Sequence, residues 1–313
     1  MRQGKLARFG AATVVAAAVA AAGLPSALAQ PAPLPVTLTV QLSQVRLFEE
    51  AIVSGLLDPP HPGASVQVAL LLGERAGERR SVPLSGDGSA FQTEVPVEKW
   101  GRYRAQVTFE GDSDHAPAEV TTEPKKVRTP RAIHAGANGD LVLALESRLE
   151  DLGYHLPRPN RNFDHRTGDA VLAFHKVNGM SRGESVSKAT WKRLSDPRTP
   201  RPRVKRPREH IEVDQSKQVL YVVREGEIEE IVHVSTGAGG ATRDGVFNVH
   251  RKIAGFSPNR LYYPSYFDGT RAVHGWPDVP PSPASHGCVR VPYWVAKWIF
   301  AIMHYGIQVR VYH

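Results

Sequence analysis

Apolar and polar residues alternate with a period of two over residues 36–122. The clearest runs begin at Val36, Val66, Phe91 and Tyr103, and groups of Pro, Gly and Asp residues separate them. Such alternation places every second side chain on one face, as in a half-buried β-strand. Several short strands at this spacing predict an antiparallel β-sandwich.

The period changes to that of an α-helix over residues 135–197. Leucines repeat with helical spacing from Leu141 onwards, and Gly153 follows them as a helix-terminating glycine. A second helix is predicted around Phe174 and a short third helix over residues 190–194. This region is therefore predicted to be a small three-helix bundle.

Strand patterns return over residues 209–313. Branched apolar runs around Val219 and Ile231 predict strands. Pro292 precedes an apolar stripe with helical spacing, which predicts one helix close to the C-terminus, and residues 307–312 form a last strand. The fold class predicted for the whole chain is multidomain and mainly β.

Two basic, proline-containing segments, residues 123–134 and 198–208, separate these regions. The second carries six Lys or Arg residues, a large share of the formal net charge of +8. A basic run can bind nucleic acid, but its three prolines and its position after a predicted domain favour a solvated linker. We expect no nucleic-acid partner and a weak attraction to anionic wall polymers.

The first 29 residues have the features of a secretory signal peptide. Arg2, Lys5 and Arg8 precede an apolar stretch over residues 11–22, and Ala27-Leu28-Ala29 fits a cleavage site. The apolar stretch is shorter than the roughly 20 residues that span a bilayer. We expect export to the periplasm or cell wall and no integral membrane segment in the mature chain. An uncleaved N-terminal anchor is the alternative.

Cys288 is the only cysteine of the chain. A single thiol in an exported protein forms no intramolecular disulfide, which favours a chemical use. His286 lies two residues and His274 fourteen residues before it, and a histidine within reach can take the thiol proton, giving a thiolate–imidazolium pair. The alternative is a buried structural cysteine, against which the flanking glycine, serine and histidines argue.

The segment Ser285-His286-Gly287-Cys288-Val289-Arg290, with His274-Gly275 upstream, resembles the signature of the YkuD-type L,D-transpeptidases. Further blocks between residues 209 and 312 support this, among them Thr242…Gly245-Val-Phe247, which resembles a Thr-Pro-x-Gly-x-Phe segment with Arg243 at the proline position. These bacterial enzymes cross-link peptidoglycan stem peptides. The resemblance implies a mostly β catalytic domain with a C-terminal helix over residues 209–313.

The same resemblance implies that Cys288 is the nucleophile, that His274 is the base and that His286 orients the substrate. Stem peptides would be both donor and acceptor: the thiol forms an acyl-enzyme with loss of D-alanine, and a side-chain amine of a neighbouring stem then closes the cross-link. No metal or organic cofactor is expected.

Gly275, Ser285, Gly287 and Arg290 complete the predicted site as oxyanion or substrate-binding residues. The two glycines allow the backbone to approach the substrate closely, and N–H groups near the thiol are natural oxyanion donors. The guanidinium of Arg290 suits a stem-peptide carboxylate, and a salt bridge that supports the fold is an equal alternative.

The other two regions are expected to bind or space the wall. Residues 135–197 resemble the small three-helix peptidoglycan-binding domain through Gly139-Asp140-Leu141-Val142, Leu149-x-x-Leu-Gly-Tyr154 and Thr190-Trp191…Leu194, which implies binding to cell-wall glycan. A plain helical spacer is the alternative. Residues 36–122 resemble immunoglobulin-like modules in pattern alone, with no catalytic constellation.

The predicted loops of the β-rich region contain five Asp or His residues, which are of types that can bind a metal ion. They are Asp58, His61, Asp112, Asp114 and His115. Because they are scattered along the sequence, we interpret them as solvated and predict no metal site.

Two other functions stay open at this point. An L,D-carboxypeptidase would use the same thiol with water as acceptor, and the difference depends on how the site excludes water. A non-catalytic wall-binding protein would carry a thiol no more reactive than free cysteine. Residues before about 209 are predicted to be dispensable for the chemistry, since they contain neither nucleophile nor base.

Overall fold

The computed structural model describes residues 32–313, so the predicted signal segment lies outside the described residues. Internal contacts divide the chain into two compact units, with the boundary between Thr129 and Pro130. Within the described residues, no helix is both long enough and apolar enough to cross a membrane.

The first unit consists of two antiparallel sheets built from eight strands. The strands are β1 (Thr37–Leu42), β2 (Glu50–Asp58), β3 (Ser65–Leu72), β4 (Arg75–Pro83), β5 (Ala90–Pro96), β6 (Gly101–Phe109), β7 (Ala118–Thr121) and β8 (Lys125–Val127). One sheet has the order β1-β2-β5 and the other the order β4-β3-β6-β7, with β8 paired to β6. Strand β1 contacts β6 and β7, so the two sheets share one core.

The four clearest runs of the sequence pattern correspond to β1, β3, β5 and β6, where every second side chain is largely buried. Strand β4 escapes the pattern because it is a sheet edge with mostly exposed, charged side chains, a composition that discourages edge-to-edge association. Strand β8 lies inside the segment 123–134 that was predicted to be a linker, so that prediction is wrong for Lys125–Val127.

The second unit begins with three helices, α1 (Asp140–Asp151), α2 (His165–Val177) and α3 (Lys188–Leu194). Helix α2 begins at His165, where the Asp164 carboxylate caps it by accepting the N–H groups of Arg166 and Thr167. Ser187 and Thr190 form a reciprocal capping box at the start of α3.

Two further sheets and one helix complete the second unit. The strands are β9 (His210–Asp214), β10 (Val219–Arg224), β11 (Glu227–His233), β12 (Gly245–Asn248), β13 (Arg251–Lys252), β14 (Tyr262–Asp268), β15 (Arg271–Trp276), β16 (Val289–Pro292) and β17 (Gln308–Tyr312), and the helix is α4 (Tyr293–Ile302). The sheet orders are β11-β10-β9-β17-β12 and β13-β14-β15-β16. Valine and isoleucine side chains from both sheets pack with α4 in one buried cluster.

Helix α2 packs on strands β10 and β11, and the region of the three helices also contacts α4. The His155 ring stacks on Trp294 and Trp298 of α4, with ring centroids 5.4 and 3.7 Å away. The Trp294 indole N–H donates to the Asp169 carboxylate of α2 at 2.8 Å. In the segment 198–208, the backbone N–H groups of Arg203 and Val204 donate to the buried Glu212 carboxylate.

Lys176 of α2 is buried against the strands. Its ammonium donates to the carbonyls of Gln218 and Val234 at 2.9 and 3.0 Å and to Nδ1 of His233 at 2.5 Å. Burial lowers the pKa of Lys176, and the three acceptors compensate for the lost hydration. Burial, with the neighbouring Lys176, lowers the pKa of His233 to about 3, so this imidazole is neutral and its Nε2–H donates to the carbonyl of Val279 at 2.7 Å.

We expect Lys176→Met to destabilise the second unit by about 2–4 kcal/mol, because two carbonyls and one imidazole nitrogen lose their donor in a buried site. Denaturant unfolding followed by tryptophan fluorescence measures this, since Trp191, Trp276, Trp294 and Trp298 all lie in the second unit. Lys192→Met, at an exposed position of α3, is the matched control. Equal unfolding midpoints for the two variants would show that the buried ammonium contributes nothing.

Candidate active site

Parallel pairing of β15 with β16 brings the two predicted reactive residues together. The register aligns Val273 with Val289 and His274 with Arg290. Continuing this register back by one residue places Cys288 beside Ala272, whose backbone N–H hydrogen-bonds the thiol. Cys288 immediately precedes β16, and His274 lies two residues beyond Ala272 on β15, so the thiol and the imidazole belong to neighbouring segments of the sheet.

The Cys288 thiol is partly buried, and its Sγ lies 4.0 Å from the carbonyl oxygen of Thr270. Burial raises the pKa of the thiol, while the Ala272 N–H and the guanidinium groups of Arg271 and Arg290 act in the opposite direction. The net upward shift means that the resting group is a thiol, which needs a base at the moment of attack.

His274 is buried and held in one tautomer. Its Nδ1–H donates to the carbonyl of Gly275 at 2.9 Å, which leaves Nε2 with its lone pair. Burial lowers the pKa of His274 to about 4, and the Arg290 guanidinium adds to this effect, so the imidazole is neutral near pH 7. Burial therefore disfavours both charges of the thiolate–imidazolium pair that the sequence predicts, and it favours the neutral pair at rest.

The turn before Cys288 is held by its own hydrogen bonds. The Ser285 hydroxyl is buried, donates to the carbonyl of Cys288 at 2.6 Å and accepts the N–H of Gly287 at 3.0 Å. Gly287 has φ of 127°, and a Cβ there would lie 2.8 Å from Arg271 Nε and 2.9 Å from the carbonyl oxygen of Ala241. In this conformation Ser285 and Gly287 shape the turn that presents the thiol.

His286, within the same turn, has a solvent-exposed side chain. Its position is compatible with contact to an incoming substrate, whereas His274 is enclosed by protein. The two histidines therefore differ in exposure: His274 is buried and His286 faces solvent.

Gly275 and Arg290 flank the histidine. A Cβ on Gly275 would lie 2.7 Å from the Ala296 Cβ and 3.0 Å from a Tyr262 ring carbon, so this position has no room for a side chain. The Arg290 guanidinium lies over the Trp276 ring, 5.1 Å from its centroid. Trp276 also meets the His274 ring edge-on, at 5.6 Å between centroids, and the sequence pattern had not singled it out.

Thr242 joins two segments beneath the turn. Its buried hydroxyl accepts the N–H of Gly237 at 2.7 Å and donates to the carbonyl of Gly287 at 2.9 Å. The sequence flagged Thr242 as part of a matching block but gave it no role. Thr242 lies in a glycine-rich loop before β12, where the apolar pattern gives no signal.

A second group that sequence reasoning missed surrounds Asp268. Its carboxylate is bound by the side chains of Arg243 and Arg271, with the Arg271 contact at 3.1 Å. Arg271 Nε also donates to the carbonyl of Ala241 at 2.9 Å. Arg243, at the position where a proline was expected, therefore forms an ion pair, and Arg271 is positioned beside the thiol.

The loop between β15 and Ser285 is tied down from outside the catalytic strands. Arg182, which follows α2, donates to the carbonyls of Pro281 and Ser216 at 2.8 and 2.7 Å. The Ser235 hydroxyl donates to the carbonyl of Ser282 at 2.7 Å, and His233 holds Val279. The helical region therefore contributes contacts to the loop that leads to Cys288.

Comparison with known proteins places this geometry in a family. The model of the L,D-transpeptidase catalytic domain, YkuD, matches residues 208–311. An L,D-transpeptidase from Xylanimonas cellulosilytica, solved as residues 123–326, is 32% identical over 60% of this chain and 100% of that chain, with a TM-score of 0.56. The chain belongs to the YkuD L,D-transpeptidase family.

More distant structures include an L,D-transpeptidase from Stackebrandtia nassauensis, 25% identical over 59% of this chain and 98% of that chain, with a TM-score of 0.37. An Enterococcus faecium L,D-transpeptidase C442S mutant is 24% identical over 33% of this chain and 49% of that chain, with a TM-score of 0.30. No curated protein matches the chain. The catalytic domain predicted over residues 209–313 is confirmed by the family match, and the kinships inferred for the two preceding regions stay predictions.

We expect Thr242→Val to slow acylation of the transpeptidase by a carbapenem at least about tenfold, because the turn that aligns the thiol loses its anchor. Mass spectrometry of the adduct over time measures the rate. Thr242→Ser keeps both hydrogen bonds and should react like the unmodified protein. An unchanged rate in Thr242→Val would remove the hydroxyl from any positioning role.

His274 and His286 should differ in the pH profile of the same reaction. With His274 as the base, the neutral imidazole is available above pH about 4, and we therefore expect acylation to vary little between about pH 5 and 8. In His274→Gln the thiol must ionise unaided, and the rate should rise only above about pH 8.5. His286→Gln should keep the original profile. The reverse pattern would assign the base to His286.

Proposed function

We propose that this protein is a peptidoglycan L,D-transpeptidase that forms cross-links through an acyl-enzyme on Cys288. Membership of the family supports the reaction class. The observation that supports the proposal best is the parallel β15–β16 pairing, whose register places His274 opposite Arg290, two residues after Cys288.

In the first step, Nε2 of His274 takes the thiol proton while sulfur attacks the carbonyl between an L-centre and D-alanine of the donor stem. The carbon–nitrogen bond breaks, the D-alanine amine leaves with the proton, and a thioester remains. Both groups start neutral, so the charges exist only during the transfer and need no resting stabilisation.

In the second step, a side-chain amine of an acceptor stem attacks the thioester. His274 accepts the amine proton and returns it to the sulfur, which restores the thiol. Arg271 and Arg290 place positive charge beside the sulfur, an arrangement that favours the thiolate as it forms and suits stem-peptide carboxylates. Reaction at peptidoglycan places the protein outside the cytoplasm, in line with the predicted signal segment.

Within this proposal the helices bind wall glycan and the first unit acts as a spacer or binding module. The helices also support the catalytic loop through Arg182 and Lys176. They therefore have a structural role in the reaction that a pure wall-binding segment would not have.

The test is incubation of the purified protein with disaccharide tetrapeptide, followed by liquid chromatography and mass spectrometry. We expect cross-linked dimers and free D-alanine, and a loss of at least about a thousandfold in Cys288→Ala. Because the thiol is small and partly exposed, circular dichroism of this variant should match the unmodified protein.

The two alternative functions predict different results in the same assay. Disaccharide tripeptide without dimers would identify an L,D-carboxypeptidase. Neither product, together with a thiol that reacts with a carbapenem no faster than free cysteine, would identify a non-catalytic wall protein. Dimer formation by Cys288→Ala would exclude the cysteine mechanism.

A further inference from the structure

Three polar side chains that are far apart in sequence meet in the first unit. His61 lies in the loop between β2 and β3, while Asp112 and His115 lie in the loop between β6 and β7. One ligand atom from each lies within 4.8 Å of the others. The interpretation of these residues as scattered and solvated is wrong for His61, whose side chain is only 6% exposed.

The tautomer of His61 is fixed by its surroundings. Nδ1 lies 2.6 Å from the carbonyl oxygen of Pro59, an acceptor, so Nδ1 carries the proton and donates it. In the neutral ring Nε2 then presents a lone pair. This nitrogen is buried and has no hydrogen-bond partner, although the nearest carboxylate oxygen, Oδ2 of Asp112, lies 3.4 Å away.

A lone pair that faces a carboxylate without a donor between them is unfavourable, since a buried acceptor is left unsatisfied. A cation between the two atoms would satisfy both. Metal-bound histidines commonly donate their other N–H to a backbone carbonyl, which is the arrangement of His61 and Pro59.

Asp112 and His115 are positioned to bind the same ion as His61. Asp112 Oδ1 accepts the backbone N–H groups of Asp114 and His115 at 2.8 and 2.7 Å, so its carboxylate is fixed in orientation. Nδ1 of His115 lies 3.0 and 3.3 Å from Oδ1 and Oδ2 of the same carboxylate. A tetrahedral zinc ion with ligands at 2.0–2.1 Å separates neighbouring ligand atoms by about 3.3 Å. The Asp112 Oδ2 atom lies at about this distance from both imidazole nitrogens, 3.4 Å from His61 Nε2 and 3.3 Å from His115 Nδ1.

The backbone of both loops is closely packed. Gly88 packs so closely that a Cβ there would lie 2.2 Å from the His61 carbonyl carbon, and a Cβ on Gly111 would lie 2.7 Å from the His115 carbonyl oxygen. The His61 ring also packs on Phe109, with centroids 4.7 Å apart, which shields one side of the cluster from water. Asp112 is partly exposed, so the site has a route to solvent.

We propose that His61 Nε2, Asp112 Oδ2 and His115 Nδ1 bind a divalent transition-metal ion, zinc being the best match, with solvent in the remaining position. Two imidazole nitrogens and one carboxylate oxygen suit zinc, whereas magnesium and calcium prefer oxygen ligands alone. Binding moves the His115 proton from Nδ1 to Nε2 and requires no other group. The ion joins the β2–β3 loop to the β6–β7 loop and stabilises that end of the first unit.

The test is zinc binding by the full chain in a Cys288→Ala background, which removes the thiol as a competing ligand. Equilibrium dialysis with metal analysis should find one zinc ion per chain at this site, and zinc should raise the unfolding temperature of the first unit. His115→Gln and Asp112→Asn should each weaken binding at least about tenfold. Asn at 112 keeps an oxygen for the turn, so this variant separates lost ligation from lost folding.

His134→Gln is the matched control, since His134 is exposed and lies outside the first unit. It should bind zinc with the affinity of the parent. A parent chain that binds no zinc at micromolar concentrations, or equal affinity in the parent, His115→Gln and Asp112→Asn, would overturn the proposal.

Discussion

Parallel pairing between β15 and β16 is the constraint on which the candidate active site depends. In a parallel pair, neighbouring residues face the same way and the register sets their separation. This register sets His274 opposite Arg290 and leaves Cys288 at the start of the same strand segment. A parallel pair also needs a connection that returns along the sheet, and residues 277–288 provide it. The turn that presents the thiol is the end of that connection. The position of the nucleophile is therefore set by the same connection that makes the two strands parallel.

Burial at this site acts against charge on both reactive groups. It raises the pKa of the Cys288 thiol and lowers that of the His274 imidazole, so the resting state is neutral. The same low polarity strengthens hydrogen bonds and nearby charges once a substrate covers the site. In the proposed mechanism, Arg271 and Arg290 then stabilise the thiolate during attack. A thiol protonated at rest is also less prone to oxidation, because the thiolate is the reactive species.

The helices and the catalytic strands form one compact unit, with polar contacts buried between them. Lys176 fixes the neutral tautomer of His233, and His233 holds Val279 in the loop that leads to the thiol. Arg182 holds the same loop at Pro281. This chain of contacts gives the helical region a part in shaping the active site. Residues before 209 contain no nucleophile or base, yet the loop depends on them for its position.

The sequence by itself determined the elements and the chemistry that are local. Period-two runs marked β1, β3, β5 and β6, helical spacing marked three helices and α4, and six residues around Cys288 pointed to the family. These features are readable because alternation and short motifs involve residues that are adjacent along the chain. The apolar pattern missed strand β4 and the start of α2. Strand β4 is an exposed sheet edge with charged side chains, and the start of α2 is set by the capping carboxylate of Asp164.

Only the tertiary structure decided which distant polar groups meet. Thr242 anchors Gly287, Asp268 joins Arg243 to Arg271, Lys176 reaches His233, and His61 meets Asp112 and His115. Most of these pairs are far apart in sequence. The two that lie three residues apart, Asp268–Arg271 and Asp112–His115, are at turns between strands, where no helical repeat applies. Their partners, and the burial that keeps the Cys288–His274 pair neutral, depend on how sheets, loops and helices pack, because desolvation is a property of the folded surroundings and not of the residue.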